Sequence, residues 1–237
     1  MKRIITLLFA ISVALTVYAN LNHLAEIRLI AKPLIMVFVA WLYTLNTVDL
    51  IEKTNKTVLL AFLFSWIGDI ALLFADDSSK APGFYFFITG LVSFLTAHLL
   101  YITVFRKIAA TSPASDIPIT KRILMLVPVG FIAAVLIFFI IPHLGPMLIP
   151  VSVYAIVISL MTISAIALYN KVFMANFNLI YAGAVFFMIS DMTLAFNQFV
   201  SPKPILGVIV MITYGAAQYS IMRGLSKVSL MTARQLV

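Results

Sequence analysis

Eight long apolar runs, separated by short clusters of charges and helix breakers, make up almost all of this chain. Read with a window near 19 residues, they cover approximately 4–20, 29–47, 58–75, 83–105, 123–141, 147–169, 178–199 and 205–222. Crossing roughly 30 Å of hydrocarbon takes about 20 mostly apolar residues. The pattern therefore predicts an all-α, polytopic membrane helix bundle with about eight transmembrane spans. The connections run from Asp49 to Lys56, Asp76 to Pro82, Arg106 to Arg122, Pro142 to Pro146 and Ser201 to Pro204. None has the length of a soluble domain, and residues 1–237 read as a single transmembrane domain.

The distribution of charge tests this count, because a wrong number of spans would scramble the alternation of Lys and Arg between the two sides. One side collects Lys2, Arg3, Lys53, Lys56, Arg106, Lys107, Lys121, Arg122, Lys171, Arg223, Lys227 and Arg234, and the other only Arg28, Lys80 and Lys203. Lys32 stays inside a span. Both termini are thus expected in the cytoplasm. A competing reading of residues 1–19 is a cleaved signal peptide, with Lys2-Arg3, an apolar stretch and the small-residue site Val17-Tyr18-Ala19. Cleavage would leave the orientation of the other seven spans unchanged.

Composition excludes several function classes. Hydrophobic residues make up 63% and charged ones 10%, where an average soluble domain has about 25% charged residues. The net charge of +8 punctuates apolar runs rather than forming the clustered basic face that nucleic acid requires, so no nucleic-acid partner is expected. Without cysteine there is no disulfide, thiolate nucleophile or cysteine metal site. Phe64 to Phe74 also resembles Phe186 to Phe196. These segments lie in the third and seventh spans, which suggests a 4+4 parallel repeat of the kind some transporters carry.

An ionisable residue at bilayer depth costs about 2.5–3.5 kcal/mol on insertion scales and is a functional-site hypothesis by default. Asp69 and Asp191 lie well inside the third and seventh spans, His98 inside the fourth, and Lys32 near the outer end of the second. Residues three and four apart share a helix face. Gly90, Phe94, His98 and Tyr101 thus form one stripe, and Gly183, Phe187, Asp191 and Leu194 another, edged by Ser190 and Asn197. Tyr154 marks a polar spot on the sixth span, and Tyr214 and Gln218 pair on the eighth. Gly183, Ala184, Gly215, Ala216 and Ala217 would permit close helix approach.

Each has a structural alternative. Tyr18 and Tyr101 suit an interfacial aromatic belt, Gln218 interhelical hydrogen bonding, Lys32 snorkelling to the headgroups, and the aspartates ion pairs or packing bonds. His23 and His143 fall in outer connections, so a three-histidine zinc site is not expected; two aspartates with His98 remain a possible metal set. There is no G-x-S-x-G elbow. Two carboxyls in a low-dielectric site do not both ionise readily, which leaves one able to act as an acid.

Lys32-Pro33-Leu34, Gly68-Asp69, Gly90 with His98-x-x-Tyr101, and Ser190-Asp191, in that order along the chain, resemble the YhhN lysoplasmalogenase family. Tyr154, Asn197, Tyr214 and Gln218 also stand where that family's polar positions are expected. The resemblance implies hydrolysis of the vinyl-ether bond of a lysophospholipid to a fatty aldehyde and glycerophosphoethanolamine or glycerophosphocholine. A multi-pass protein of a bacterial inner membrane is expected, and, since protonation of a vinyl ether requires neither, no cofactor and no metal.

Acid cleavage of a vinyl ether protonates carbon and needs no nucleophilic serine. By analogy with the carboxyl pairs of glycosidases, Asp69 and Asp191 are the expected catalytic residues, without a choice of which is the acid. Lys32 is the expected phosphate contact. His98, Tyr101, Tyr154, Ser190, Asn197, Tyr214 and Gln218 complete the candidate substrate-binding set. The expected topology puts both aspartates in the outer half of the membrane and His98 and Gln218 nearer the cytoplasmic end, a tension for a single compact site. The rival function is a small transporter or channel, against which stands the lack of paired Gly/Pro-broken helices in the two halves.

Overall fold

The computed structural model describes residues 1–47, 53–75, 81–111 and 117–235, without the side chains of 229–235. The residues Asp49, Asp76 and Lys80 and the connections around them lie outside the described residues, as does the side chain of Arg234. The helices are α1 (Lys2–Leu21), α2 (Ala25–Asn46), α3 (Lys53–Leu73), α4 (Gly83–Thr111), α5 (Ile119–Val135), α6 (Leu148–Ile166), α7 (Met174–Phe199) and α8 (Pro204–Gln235). Among the described residues, seven segments are long and apolar enough to cross a membrane. The eighth long helix is α2, whose outer turns carry Glu26, Arg28, Lys32 and Pro33.

The helices outrun the apolar segments in a consistent way. The fourth span was expected to stop at 105 and the last at 222, yet α4 continues to Thr111 and α8 to Gln235. Arg106 and Arg223 end burial in lipid, but Arg and Lys are good helix formers and do not end a helix. The fifth run behaves differently. After Pro128, α5 passes into a π-helical turn, Leu136–Ile140, and then short 3-10 turns to Met147.

The most extensive interfaces are α7 with α8 and α3 with α4; α2 joins α1, α3 and α8, and α4 joins α6. α5 stands at the edge against α6 and α7. Only Val129 and Ile132 of α5 are buried, while Ile123, Leu124, Val127 and Phe131 are exposed. Lipid tails are as apolar as these side chains, so packing and interhelical hydrogen bonds, rather than water exclusion, hold such helices together.

Small residues set the closest approaches. A Cβ at Gly183 would lie 2.7 Å from Ile221 Cγ1 and 2.9 Å from the Ala217 carbonyl oxygen across the α7–α8 interface. Gly215 serves α1 instead, with Val13 Cγ2 3.0 Å from the Cβ it lacks. Gly130 on α5 has nothing within 4 Å. Gly183→Ala should therefore destabilise the protein by about 1–3 kcal/mol, because backbone would have to move. Gly130→Ala should be neutral or stabilising by up to about 1 kcal/mol through helix propensity. Thermal unfolding in detergent checks the contrast, and equal behaviour of the two variants would remove the packing explanation.

Candidate active site

The buried polar groups form two clusters, one on each aspartate. Asp69, on α3, is 2% exposed and its Oδ1 lies 3.7 Å from Lys32 Nζ on α2. Its Oδ2 accepts a hydrogen bond from the Tyr214 hydroxyl on α8 at 2.6 Å. Gln218, one turn along α8, donates from Nε2 to the Tyr214 hydroxyl oxygen at 3.4 Å and to Ser65 Oγ at 3.1 Å. Its Oε1 accepts from the Tyr101 hydroxyl on α4 at 2.9 Å. The bonds from Tyr101 through Gln218 and Tyr214 run towards Asp69, which has the Lys32 ammonium on its other oxygen, while Gln218 also donates sideways to Ser65. An ionised carboxylate, which only accepts, is the state that satisfies these contacts.

Asp191, on α7, has different company. Tyr154 of α6 donates its hydroxyl proton to Asp191 Oδ2. His98 Nε2 of α4 is 3.8 Å from the same oxygen, too far for a hydrogen bond. Both ring nitrogens of His98 are buried without a hydrogen-bond partner, which costs about 1–3 kcal/mol for a buried polar group. The imidazole is gripped instead by aromatic edges, 4.6 Å from the Phe187 centroid and 5.3 Å from that of Tyr154. Phe187 also packs on Tyr214, at 5.6 Å, and so connects the two clusters. The same spacing of 37 positions separates Tyr154 from Asp191 and Lys32 from Asp69, so each aspartate meets a partner from the helix that precedes its own. The second contact comes from the other half: α8 for Asp69 and α4 for Asp191.

The cavities divide the aspartates further. Asp191 and Tyr154 line an almost wholly apolar groove of about 380 Å³ between α5, α6 and α7, with Ile132, Leu136, Ile158 and Met188 along its walls. The same two residues, with Val151 and Ala195, also line a constriction of about 40 Å³. Leu72, Phe87 and Leu194 of that constriction in turn border an outer vestibule of about 550 Å³, which Lys32 lines. Asp69 lines none of the three; it stands behind Lys32. Among the described residues no three His, Asp or Glu side chains converge as metal ligands would.

The sequence profile of the YhhN family matches residues 27–225. The chain belongs to the YhhN family. It is similar to human lysoplasmalogenase TMEM86B, with 32% identity over 159 residues, 67% of this chain and 58% of the human protein. It is also similar to bovine lysoplasmalogenase TMEM86A, with 29% identity over 189 residues, 77% of this chain and 71% of the relative. No solved structure matches the chain.

Within this YhhN fold eight of the ten expected site residues are gathered. Despite the expected difference in depth, His98 lies 3.8 Å from Asp191, and Gln218 reaches Asp69 through Tyr214. The other two residues serve packing. Ser190 donates to the Val210 carbonyl oxygen at 3.2 Å, joining α7 to α8. Asn197 accepts from the Lys203 backbone N–H at 2.7 Å, tying down the α7–α8 connection, although it also borders the vestibule. Sequence reasoning missed Ser65, four residues before Asp69 and on its face, a signal that helical spacing contained.

Removing one member of a buried ion pair leaves the other uncompensated. Lys32→Met alone should cost about 2–4 kcal/mol of stability, and Lys32→Met with Asp69→Asn should cost less than the two single variants added together. A double-mutant cycle on unfolding in detergent measures this. Additive losses would mean that the pair is not coupled.

Proposed function

We propose that the protein is a lysoplasmalogenase, an intramembrane hydrolase cleaving the vinyl-ether bond of a 1-alkenyl lysophospholipid to a fatty aldehyde and a glycerophospho-base. The observation that carries this reading is the position of Asp191. It lines both an apolar groove and a small hollow, and the hollow's other walls border a vestibule lined by Lys32. A lysolipid has the same order of parts: alkenyl chain, ether, charged headgroup. The likeness to proteins named lysoplasmalogenase supports it independently.

In this reading Asp191 is the acid and Asp69 is not. Asp191 Oδ2 is occupied by the Tyr154 hydroxyl, and Oδ1 carries the proton. That proton passes to the alkene carbon remote from oxygen, leaving an oxocarbenium ion. Water adds to the carbon bound to oxygen and gives up a proton to the Asp191 carboxylate, which restores the acid. The hemiacetal then collapses: its hydroxyl proton moves to the ether oxygen, the C–O bond breaks, and aldehyde and glycerol hydroxyl separate. One carboxyl serves in turn as general acid and general base, as in glycoside hydrolysis.

Asp69 is a positioning residue, holding Lys32 at the vestibule wall, where its ammonium meets phosphate as a point charge. Tyr101, Tyr214 and Gln218 hold Asp69, and Tyr154 orients Asp191. His98 walls the reacting centre. The duplication suggested by the sequence fits this division, with one carboxylate-bearing unit specialised for holding a cation and the other for proton transfer.

Aldehyde release from 1-alkenyl lysophosphatidylethanolamine by the purified protein in detergent, with chelator present, tests the proposal. Asp191→Asn should lower kcat by about 10²–10⁴, the usual worth of a positioned acid. Asp69→Asn should act mainly on KM, with a loss of about tenfold. Equal loss of kcat in two folded variants would favour a shared carboxyl pair over this division. No aldehyde from folded wild-type protein would sink the hydrolase reading and direct attention to transport.

A further inference from the structure

Positive side chains are generally kept away from the non-cytoplasmic face of a membrane protein. Here the face opposite the termini carries few of them, and those few are not scattered. Arg28, Lys32 and Lys203, its described lysines and arginine, all line one outer vestibule of about 550 Å³, together with His23. Arg28 and Lys32 share one face of α2, Lys203 comes from the α7–α8 connection, and His23 from the α1–α2 connection. His23 adopts φ 55°, a left-handed conformation that costs about 1–3 kcal/mol for a non-glycine residue and clusters at ligand sites. Four basic side chains from three separate segments thus line one vestibule, which shares Leu72, Phe87 and Leu194 with the small hollow that Asp191 lines.

We propose that this vestibule binds the phosphodiester of the lysolipid headgroup, so that the protein draws its substrate from the leaflet opposite its termini and releases the water-soluble product on that side. The proposal rests on the hydrolase reading above. Arg28 contributes a planar fork suited to two phosphate oxygens, and Lys32 and Lys203 contribute point charges. The tail direction agrees. Along α6 the groove runs from Val151 at the outer end, past Tyr154, to Ile158 and Ser159 nearer the bilayer centre. A lipid in the leaflet opposite the termini lies in this sense, with phosphate at the surface and chain towards the midplane. A lipid in the other leaflet would enter tail first and have to carry its phosphate through hydrocarbon, where charge is costly.

Sealed vesicles holding the full chain in known orientation, with 1-alkenyl lysophosphatidylethanolamine added from outside, test this. With termini inside, aldehyde release should be at least ~10-fold faster than with termini outside, and glycerophosphoethanolamine should appear in the external medium. Detergent should then equalise the two preparations. Equal initial rates before detergent, or faster release with termini outside, would overturn the sidedness; absence of aldehyde even after detergent would instead overturn the hydrolase reading. A second arm addresses the headgroup. Arg28→Gln and Lys203→Gln should each lower the kcat/KM ratio of the lysophospholipid to phosphate-free 1-alkenylglycerol by about tenfold, the scale of a lost charge-assisted bond. An unchanged ratio would remove the headgroup role. Inhibition by inorganic phosphate that these substitutions relieve, with that ratio unchanged, would mean a free anion is the true occupant.

Discussion

Hydrocarbon solvates an isolated charge very poorly, and the centre of this bundle is arranged around that fact. Lys32, Asp69, Asp191 and His98 all lie on long helices of the bundle, and each is met by a side chain from another helix. The resulting ties do more than lower a penalty. Lys32–Asp69 and Tyr214–Asp69 hold α2, α3 and α8 at one point, and Tyr154–Asp191 holds α6 to α7. Helices that gain little from excluding water depend on such bonds and on close packing for a unique arrangement, and Gly183 supplies the latter between α7 and α8.

The same constraint separates two carboxyl groups that look alike in sequence. Asp69 accepts from Tyr214 on one oxygen and has the Lys32 ammonium beside the other, the surroundings of an ionised carboxylate. Asp191 has a phenol and, 3.8 Å away, an imidazole held among aromatic edges, and it lines open apolar space. The proposed cleavage needs a proton donor at the double bond and one water molecule, and a low dielectric strengthens each electrostatic contact made there. α5 matters for a complementary reason. Its loose attachment, proline and π-helical turn leave a groove rather than a sealed core, and a π-helical turn inside a helix is frequently found at a functional site.

An amphipathic substrate imposes an order on a site, and the three hollows follow it. The groove is apolar where a chain would lie, the constriction is small where the ether would pass, and the vestibule gathers cations where a phosphate would stand. No single motif encodes this order. It arises because helices running in opposite directions bring Lys203 to the same end of the bundle as His23 and Arg28, which lie far from it along the chain.

Local sequence was sufficient for the helices and for which residues were out of place. Apolar runs must cross lipid as helices because no other open structure satisfies their backbone there, and Asp69, Asp191, His98 and Lys32 stood out against those runs by cost alone. Helical spacing also put Tyr214 and Gln218 on one face. What depended on tertiary structure was partnership. Ser190 and Asn197 looked like site residues by proximity to Asp191, yet they bond to Val210 and Lys203 because their rotation around α7 directs them to α8 and its connection. Which aspartate met a cation and which met a cavity was decided by residues 37 positions away and by the opposite half of the molecule. Charge and periodicity are properties of a segment, whereas the company a buried side chain keeps depends on how helices rotate and pack against one another, and only the folded bundle determines that.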